Sequence, residues 1–226
     1  MSHINIESYF KDKLPFFNDL SESEVKDLIS ASYIQKYNKG ELVHSKNSAC
    51  TGIVVVLNGQ LRSFMTSNSG KEITLFKLFE RDICMLSSSC VYQDITYDIN
   101  LEAEKDSSVI IIDSKFFKEI SSNNFSIQNF FLTLTQDKLS QIMWVLEQVV
   151  FFSLDSRVAN FLIDQYYLND SININITHDT IANNLGSARE AISRMLKRFE
   201  NDKIVELSRG SIKIIDIEKL KFLSSP

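Results

Sequence analysis

The stretch that most constrains the fold runs from residue 176 to residue 199 and has the sequence ITHDTIANNLGSAREAISRMLKRF. It predicts two short helices joined by a tight turn. Thr177 suits the N-cap of the first helix, and Asp179 places a negative charge in its first turn, where the helix dipole favours it. Gly186 ends this helix and permits the turn. The apolar face of the first helix consists of Ile181, Ala182 and Leu185.

The second helix has two chemically different faces. At about 100° per residue, its apolar residues fall within an arc of roughly 100° and predict a buried face. These residues are Ile192, Met195, Leu196 and Phe199. The opposite face carries Arg189, Glu190, Ser193, Arg194 and Lys197. Because arginine can donate two hydrogen bonds to guanine and glutamate can accept one from cytosine, this face suits the major groove of DNA. The alternative is an ordinary solvated face on a surface helix.

The order of residues across both helices resembles the helix-turn-helix of the CRP/FNR family of bacterial transcription regulators. The shared features are a threonine start, an apolar–alanine pair, Leu-Gly, and then Ser-Ala-Arg-Glu-Ala-Ile-Ser-Arg. The recognition helix of that family has the form R-E-x-x-x-R, so the resemblance implies that Arg189, Glu190 and Arg194 contact base edges. It also implies a phosphate contact for Thr177. The remaining predicted DNA contacts are Ser193 with a base, and Ser187, Lys197 and Arg209 with phosphates.

The net charge of −5 argues against a nucleic-acid partner, but its distribution weakens that objection. Residues 1–150 carry the whole negative excess, whereas residues 151–226 contain ten basic and ten acidic side chains. Residues 187–198 hold four basic side chains and one acidic side chain. Because one such unit would bind DNA weakly through phosphates, we expect two copies of the chain to bind together.

Between about Tyr33 and Asp113 the pattern changes to short apolar segments separated by turn sequences such as Asn58-Gly59. Turns at such regular spacing predict an antiparallel roll or barrel. The predicted strands are Ile53–Leu57, Leu61–Met65, Ile73–Phe79 and Val109–Ile112. The segment also resembles the cyclic-nucleotide-binding β-roll of the same family, in its K-G-E strand start, its V-L-N-G-Q-L hairpin and its G-K-E-I-T-L strand.

The segment that would hold a ligand in this roll departs from the family pattern. Members that bind cyclic nucleotides carry G-E-L/I and then an Arg before Ser or Thr, with the Glu on the ribose hydroxyl and the Arg on the phosphate. Here residues 84–90 contain neither a Glu nor an Arg. Since burying a phosphate without a cation is costly, we expect no tight binding of cyclic AMP.

The effector is therefore left open, with a candidate region formed by Cys84, Ser87, Ser88, Ser89 and Cys90. The serines either cap a short helix or help its backbone N–H groups hold an anion. The two cysteines form either a thiol switch or a pair of buried small hydrophobic residues. We expect no metal site and no haem, because His44 is the one histidine in the roll and suits a structural role. An iron–sulfur cluster of the family type needs N-terminal cysteines, and residues 1–49 contain none.

A long helical pattern follows, with an a/d seam over nearly three heptads. The seam residues are Leu132, Thr135, Leu139, Ile142, Leu146 and Val149. The resemblance implies a parallel homodimer through this helix, whereas the alternative is a helix buried within one chain. Phe131, Met143 and Val150 lie off the seam and are candidates to face the roll. A two-fold dimer would set its recognition helices one DNA turn apart, roughly 34 Å.

The sequence thus predicts an α+β fold of three parts. Residues 1–124 form an N-terminal antiparallel β-roll sensor domain with an N-terminal helix, which begins with a capping box at Ser21 and Glu24. Residues 125–152 form a long central dimerisation helix. Residues 153–226 form a C-terminal winged helix-turn-helix, whose wing is the hairpin Ile204–Leu207 and Ile212–Ile215 with Arg209 at its tip.

Other function classes fit the sequence less well. An enzyme on a cupin-like barrel needs several metal-binding histidines, and of the three His in the chain one lies in the roll. A sensor that acts only through protein contacts would leave Arg189 and Arg194 without a role. The predicted partners are double-stranded DNA, a second copy of the chain and, for an activator, RNA polymerase. We expect no membrane association and a cytoplasmic location, because no long apolar span or signal peptide is found and the three Cys are unpatterned.

Overall fold

A computed structural model describes residues 5–45, 51–87 and 99–224 of the chain. The chain divides into two compact units. The first contains Met1–Met65 and Leu75–Gln141, and the second contains Thr66–Thr74 and Ile142–Pro226. The predicted fold class is confirmed: antiparallel sheets lie in the N-terminal part, a long helix follows, and a helix-turn-helix with a small sheet lies at the C-terminal end.

The chain starts with short helical segments that lead into the sheets. Helix α1 spans Ile6–Lys13, a 3₁₀ helix spans Pro15–Asp19, and α2 spans Glu22–Ser30. The predicted capping box is confirmed: the Ser21 hydroxyl accepts the backbone N–H of Glu24, and the Glu24 carboxylate accepts the backbone N–H of Ser21. Both groups would otherwise be unpaired donors at a helix start, so the box defines where α2 begins.

Eight strands in the described residues form two four-stranded antiparallel sheets. They are β1 Ser32–Tyr37, β2 Leu42–His44, β3 Ile53–Asn58, β4 Leu61–Thr66, β5 Glu72–Leu78, β6 Ile83–Cys84, β7 Asn100–Ala103 and β8 Ser107–Ile112. One sheet has the strand order β1-β8-β3-β6, and the other has the order β2-β7-β4-β5. The four predicted strands are all confirmed, with ends that lie within two residues of the prediction.

The centre of the first sheet is formed by β3 and β8, which pair antiparallel with Val54 opposite Ile111. Consecutive residues of both strands are buried, so both faces of the sheet are covered. Continuous runs of β-branched residues, rather than alternation with polar residues, are typical of such strands. In β2 the buried His44 accepts or donates a hydrogen bond at Nδ1, 2.8 Å from Thr51 Oγ1, which agrees with the predicted structural role.

Two helices follow the sheets. Helix α3 spans Ser114–Asn123, and Asp113 caps it by accepting the backbone N–H groups of Lys115 and Phe116. Helix α4 spans Phe125–Phe151, 27 residues, or about 40 Å at the rise of an α-helix. Phe131 is buried as expected, but Met143 and Val150 are exposed, so the expectation that they are covered in the same way was wrong. The buried side of α4 contains Ile127, Phe131 and Lys138. Met143 and Val150 lie roughly 100° or more away from these residues around the helix.

The C-terminal part contains four helices and a small sheet. Its elements are α5 Leu154–Asn169, β9 Asn173–Ile174, α6 His178–Leu185, α7 Arg189–Asn201, β10 Val205–Ser208, β11 Ser211–Ile214 and α8 Ile217–Ser224. The sheet has the order β10-β11-β9, so the predicted wing hairpin is present. Helix α8 is an element that sequence reasoning did not find; its Leu220 is fully buried in the same core as Leu162 and Phe199.

Within the described ranges, no helix combines the length and the apolar character needed to cross a lipid bilayer.

Candidate DNA-binding surface

The turn between α6 and α7 has the predicted geometry. Thr177 caps α6, since its Oγ1 accepts the backbone N–H of Thr180 at 3.1 Å. Gly186 ends α6 with a φ of 64°, in the left-handed region that favours glycine. Helix α7 then begins at Arg189, so the sequence prediction of two helices and a turn is confirmed.

Helix α7 is held in place by its apolar side. Ile192, Leu196 and Phe199 are fully buried in the core that α5, α6, the wing and α8 share. Two polar interactions that sequence reasoning missed strengthen this packing. Arg198 forms an ion pair with Asp155 in the first turn of α5, and the Arg157 guanidinium donates a hydrogen bond to the backbone carbonyl of Leu185. The second interaction satisfies a carbonyl at the C-terminal end of α6.

The opposite side of α7 faces away from that core. Arg189, Glu190, Arg194 and Lys197 are exposed, as predicted from the helical wheel. Arg189 lies 3.3 Å from Asp179 of α6, but both side chains are more than half exposed, so this ion pair is weak and can exchange for another partner. Among the residues that the structure describes, Arg194 forms no ion pair. Its guanidinium is therefore available to an external acceptor.

Ser193 was predicted to contact a base, and its surroundings reduce its capacity to do so. Its Oγ lies 2.9 Å from Nδ1 of His178, the first residue of α6, and the side chain is half-buried. A hydroxyl has one donor and two acceptor positions, so one of these is engaged inside the protein. The same hydrogen bond links α6 to α7 and helps to fix their angle.

The side chains that are predicted to contact phosphates differ in their exposure and in their interactions within the protein. Thr177 and Arg209 are exposed, and Ser187 is half-buried in the turn. Arg209 lies at the tip of the wing next to Gly210, which adopts a φ of 75°. Lys197 is exposed but lies 2.5 Å from Glu200, and this interaction is the main reason why the pKa of the Glu200 carboxyl is lowered. Part of the Lys197 charge is therefore neutralised by its own helix.

Comparison with known proteins identifies both parts of the chain. Residues 156–223 match a family model described as the Crp-like helix-turn-helix domain, and residues 34–124 match one described as the cyclic nucleotide-binding domain. A solved structure assigned to the CRP/FNR family, from Eubacterium rectale, is 39% identical over 94% of this chain and 99% of that chain, with a TM-score of 0.91. The chain belongs to the CRP/FNR family.

Two named relatives of this CRP/FNR protein are regulators. It is 21% identical to a protein of Lacticaseibacillus casei named probable transcriptional regulator flp, over 92% of this chain and 94% of the relative. It is 23% identical to the transcriptional regulatory protein btr of Bordetella pertussis, over 83% of this chain and 79% of the relative. The protein is a transcription regulator of the CRP/FNR type with a helix-turn-helix DNA-binding domain, and the enzyme alternative is wrong.

The predicted effector region of this CRP/FNR protein is described only in part. Ser88, Ser89 and Cys90 lie outside the described residues. Ser87 is fully buried and its hydroxyl donates to the backbone carbonyl of Gly52 at 2.8 Å, which is a structural contact. Cys84 is buried in β6, and burial raises the pKa of its thiol. A protonated, inaccessible thiol reacts slowly, so Cys84 by itself behaves as a small hydrophobic residue.

The a/d seam of α4 forms an exposed apolar stripe on the single chain. Leu132, Leu139 and Leu146 are 57%, 56% and 50% exposed. Thr135 and Val149 are also exposed, and Ile142 is half-buried. Regular apolar stripes of this kind are typical of the seams through which helices pair.

Proposed function

We propose that this CRP/FNR protein is a homodimer that binds a specific DNA sequence through helix α7. Residues 1–124 would serve as a sensor domain, residues 125–152 as the dimerisation helix and residues 153–226 as the DNA-binding domain. In the proposal Arg189, Glu190 and Arg194 contact base edges, with Ser193 as a weaker contributor. Phosphates are contacted by Thr177, Ser187, Lys197 and Arg209.

The observation that carries this proposal is the two-sided character of α7. Its apolar side chains are fully buried, while Arg189, Glu190 and Arg194 project from the exposed side near the start of the helix. A recognition helix enters the major groove with its N-terminal residues at base edges, and arginine paired with guanine is the commonest specific contact there. The exposed seam of α4 supports two such helices per assembly, because a two-fold dimer presents α7 twice.

The test is a binding selection followed by a comparison of variants. Genomic fragments retained by the purified full-length protein are sequenced, and the affinity for one retained fragment is compared with that for a scrambled fragment of equal length. The double variant Arg189→Ala with Arg194→Ala should lose the preference for the retained fragment. Lys115→Ala, which removes an exposed charge from α3, is the matched control and should keep it. Equal losses on both fragments from the double variant would contradict base recognition.

The regulation that we propose is a shift between two dimer arrangements, driven by an effector other than cyclic AMP in the β-roll. The support is the sequence of residues 84–90, which lacks the Glu and the Arg that cyclic-nucleotide binders carry. Calorimetry should find no micromolar affinity for cyclic AMP, and detection of such an affinity would overturn this part. As an activator, the protein would also contact RNA polymerase; as a repressor, DNA binding alone would suffice.

A further inference from the structure

One lysine of α4 is buried where a charged side chain is unexpected. Lys138 is 8% exposed, whereas lysine is almost never fully buried unless it is paired. It follows Phe131 by seven residues, which places the two side chains roughly 20° apart around the helix. Ile127 and Phe131, on the same stripe, are both buried apolar residues. The chain therefore places a cation at a position where the rest of the stripe is hydrophobic.

The surroundings of this ammonium group are mainly apolar. Its Nζ lies 4.8 Å from the centroid of the Phe76 ring, which belongs to β5. The Oε1 atom of Gln141 is 3.5 Å away, at the outer limit of a hydrogen bond. One turn earlier on α4, the Thr135 hydroxyl lies 3.2 Å from Met85 Sδ, so the end of β6 is also close to this part of the helix.

Two other cations of the same unit have carboxylate partners. The buried Arg62 lies 3.9 Å from Glu102, and the half-buried Lys77 lies 2.9 Å from Glu104. Lys138 has no carboxylate within 4.0 Å in the described ranges, although it is about as buried as Arg62. Cys84 does not supply the missing charge, because burial raises the pKa of its thiol and keeps it protonated.

A buried ammonium group without a counter-anion is unfavourable. The aromatic ring of Phe76 offsets part of this cost through a cation–π interaction, and the weak acceptor Gln141 offsets little more. An anion that enters this region would therefore bind at low desolvation cost for the lysine, which is already out of water.

We propose that Lys138 binds the carboxylate group of a small organic monocarboxylate, and that this ligand is the effector of the β-roll. One ammonium group balances one negative charge, so a doubly charged phosphate monoester would stay partly uncompensated. Phe76 and Met85 suit an apolar ligand body. The effector role rests on the regulation proposed above, but carboxylate binding itself is measured without DNA.

The experiment uses the full-length protein and the sodium salts of acetate, butyrate and benzoate, with sodium chloride and sodium phosphate at equal ionic strength as comparisons. Calorimetry gives the affinities, and thermal melting gives the midpoint with and without each salt. The variants are Lys138→Met, which removes the charge at similar volume, and Lys138→Arg, which keeps it. Lys118→Met, at an exposed position of α3, is the control.

At least one of the three carboxylates should bind the wild type and raise its melting midpoint more than chloride or phosphate does. Its affinity should fall at least about tenfold in Lys138→Met, stay within about threefold in Lys138→Arg, and be unchanged in Lys118→Met. The ligand-free Lys138→Met variant should melt a few degrees above the wild type, because an unpaired buried cation has been removed.

Absence of binding by all three carboxylates would overturn the proposal, as would equal affinity of the wild type and Lys138→Met, or stronger binding of phosphate. Conversion of the protein to a monomer by Lys138→Met would also overturn it, because Lys138 would then pair with a second copy. Failure of the protein to bind DNA is a separate result, which would contradict the proposed function but leave the calorimetric result intact.

Discussion

The ammonium group of Lys197 lies 2.5 Å from the carboxylate of Glu200, three residues later on helix α7. The other oxygen of that carboxylate accepts the backbone N–H of Leu207 in β10 at 3.2 Å. Glu200 therefore joins helix α7 to the wing. At the same time it neutralises part of the positive charge on Lys197, which is a predicted phosphate contact. Arg209, at the wing tip, forms no ion pair in the described part of the chain.

This arrangement predicts that removing Arg209 and removing Lys197 will change the salt dependence of DNA binding by different amounts. Each phosphate that a protein neutralises contributes about 0.9 to the slope of log K against log salt concentration, so Arg209→Ala should lower the slope by about that amount per protomer. Lys197→Ala should lower it by less than half as much, because Glu200 already balances its charge. The measurement is fluorescence anisotropy with a labelled duplex at four or more salt concentrations.

Glu200→Gln provides the matched background, because the amide oxygen can still accept the Leu207 N–H while the negative charge is gone. In that background, Lys197→Ala should lower the slope by about 0.9, as Arg209→Ala does. If Lys197→Ala has the full effect in the wild type and no larger effect in Glu200→Gln, the ion pair does not control this contact.

We expect Arg194 to set the preference for one base pair of each half-site. Its guanidinium is exposed and has no carboxylate partner in the described residues, so it enters the groove without breaking an internal ion pair. Arg194→Ala should weaken binding to the selected duplex by about 1–3 kcal/mol and relax the preference at one base pair of each half-site. The measurement is competition with duplexes that carry each single substitution. A uniform loss across all of these duplexes would place Arg194 on the phosphate backbone instead.

The capping box of α2 predicts a pH dependence of stability. Hydrogen bonds from the Ser21 hydroxyl, and then from its backbone N–H, lower the pKa of Glu24 below its ordinary value of 4.5. A carboxyl with a lowered pKa in the folded state stabilises the protein above its unfolded pKa, and this contribution disappears as the pH falls through the folded value. Glu24→Gln should therefore lower the melting midpoint at pH 7, and the difference from the wild type should shrink below about pH 4.

Glu22→Gln, also near the start of α2, is the control for the same loss of charge at a carboxylate outside the capping box. Its melting midpoint should stay close to that of the wild type at both pH values. A constant difference between Glu24→Gln and the wild type from about pH 7 to about pH 3.5 would contradict the link between the cap and the ionised carboxyl.

Local patterns were sufficient to predict most of the fold and the exposed face of α7. Alternation, helical periodicity and capping residues act over a few positions, so they can be recognised in the sequence before any tertiary contact is known. Ser21, Thr177 and Gly186 are examples, and each has the conformation and hydrogen bonds that its residue type favours.

Contacts between distant segments could not be predicted in this way. In the sequence Arg198 is simply a basic residue near the recognition helix, yet its partner Asp155 lies 43 positions earlier. The burial of Lys138 was not predicted, although its spacing from Phe131 places both residues on one side of α4. The errors at Met143 and Val150 have a related origin, since residues off the seam lie on either side of it and local periodicity does not show which side is covered.

The exposed seam of α4 predicts that dimerisation and DNA binding are lost together. Leu139 and Leu146 are each at least half exposed on the single chain, so replacing both with Asp should leave the chain folded. In a parallel pair these residues would face their counterparts, and four buried carboxylates would be strongly unfavourable. Sedimentation velocity should find a dimer for the wild type and a monomer for Leu139→Asp with Leu146→Asp, and anisotropy should find DNA affinity reduced at least about a hundredfold. Phe222→Asp, at an 82% exposed position of α8, is the control for an exposed apolar-to-acidic change and should remain dimeric. A double variant that still sediments as a dimer would rule out this seam as the interface.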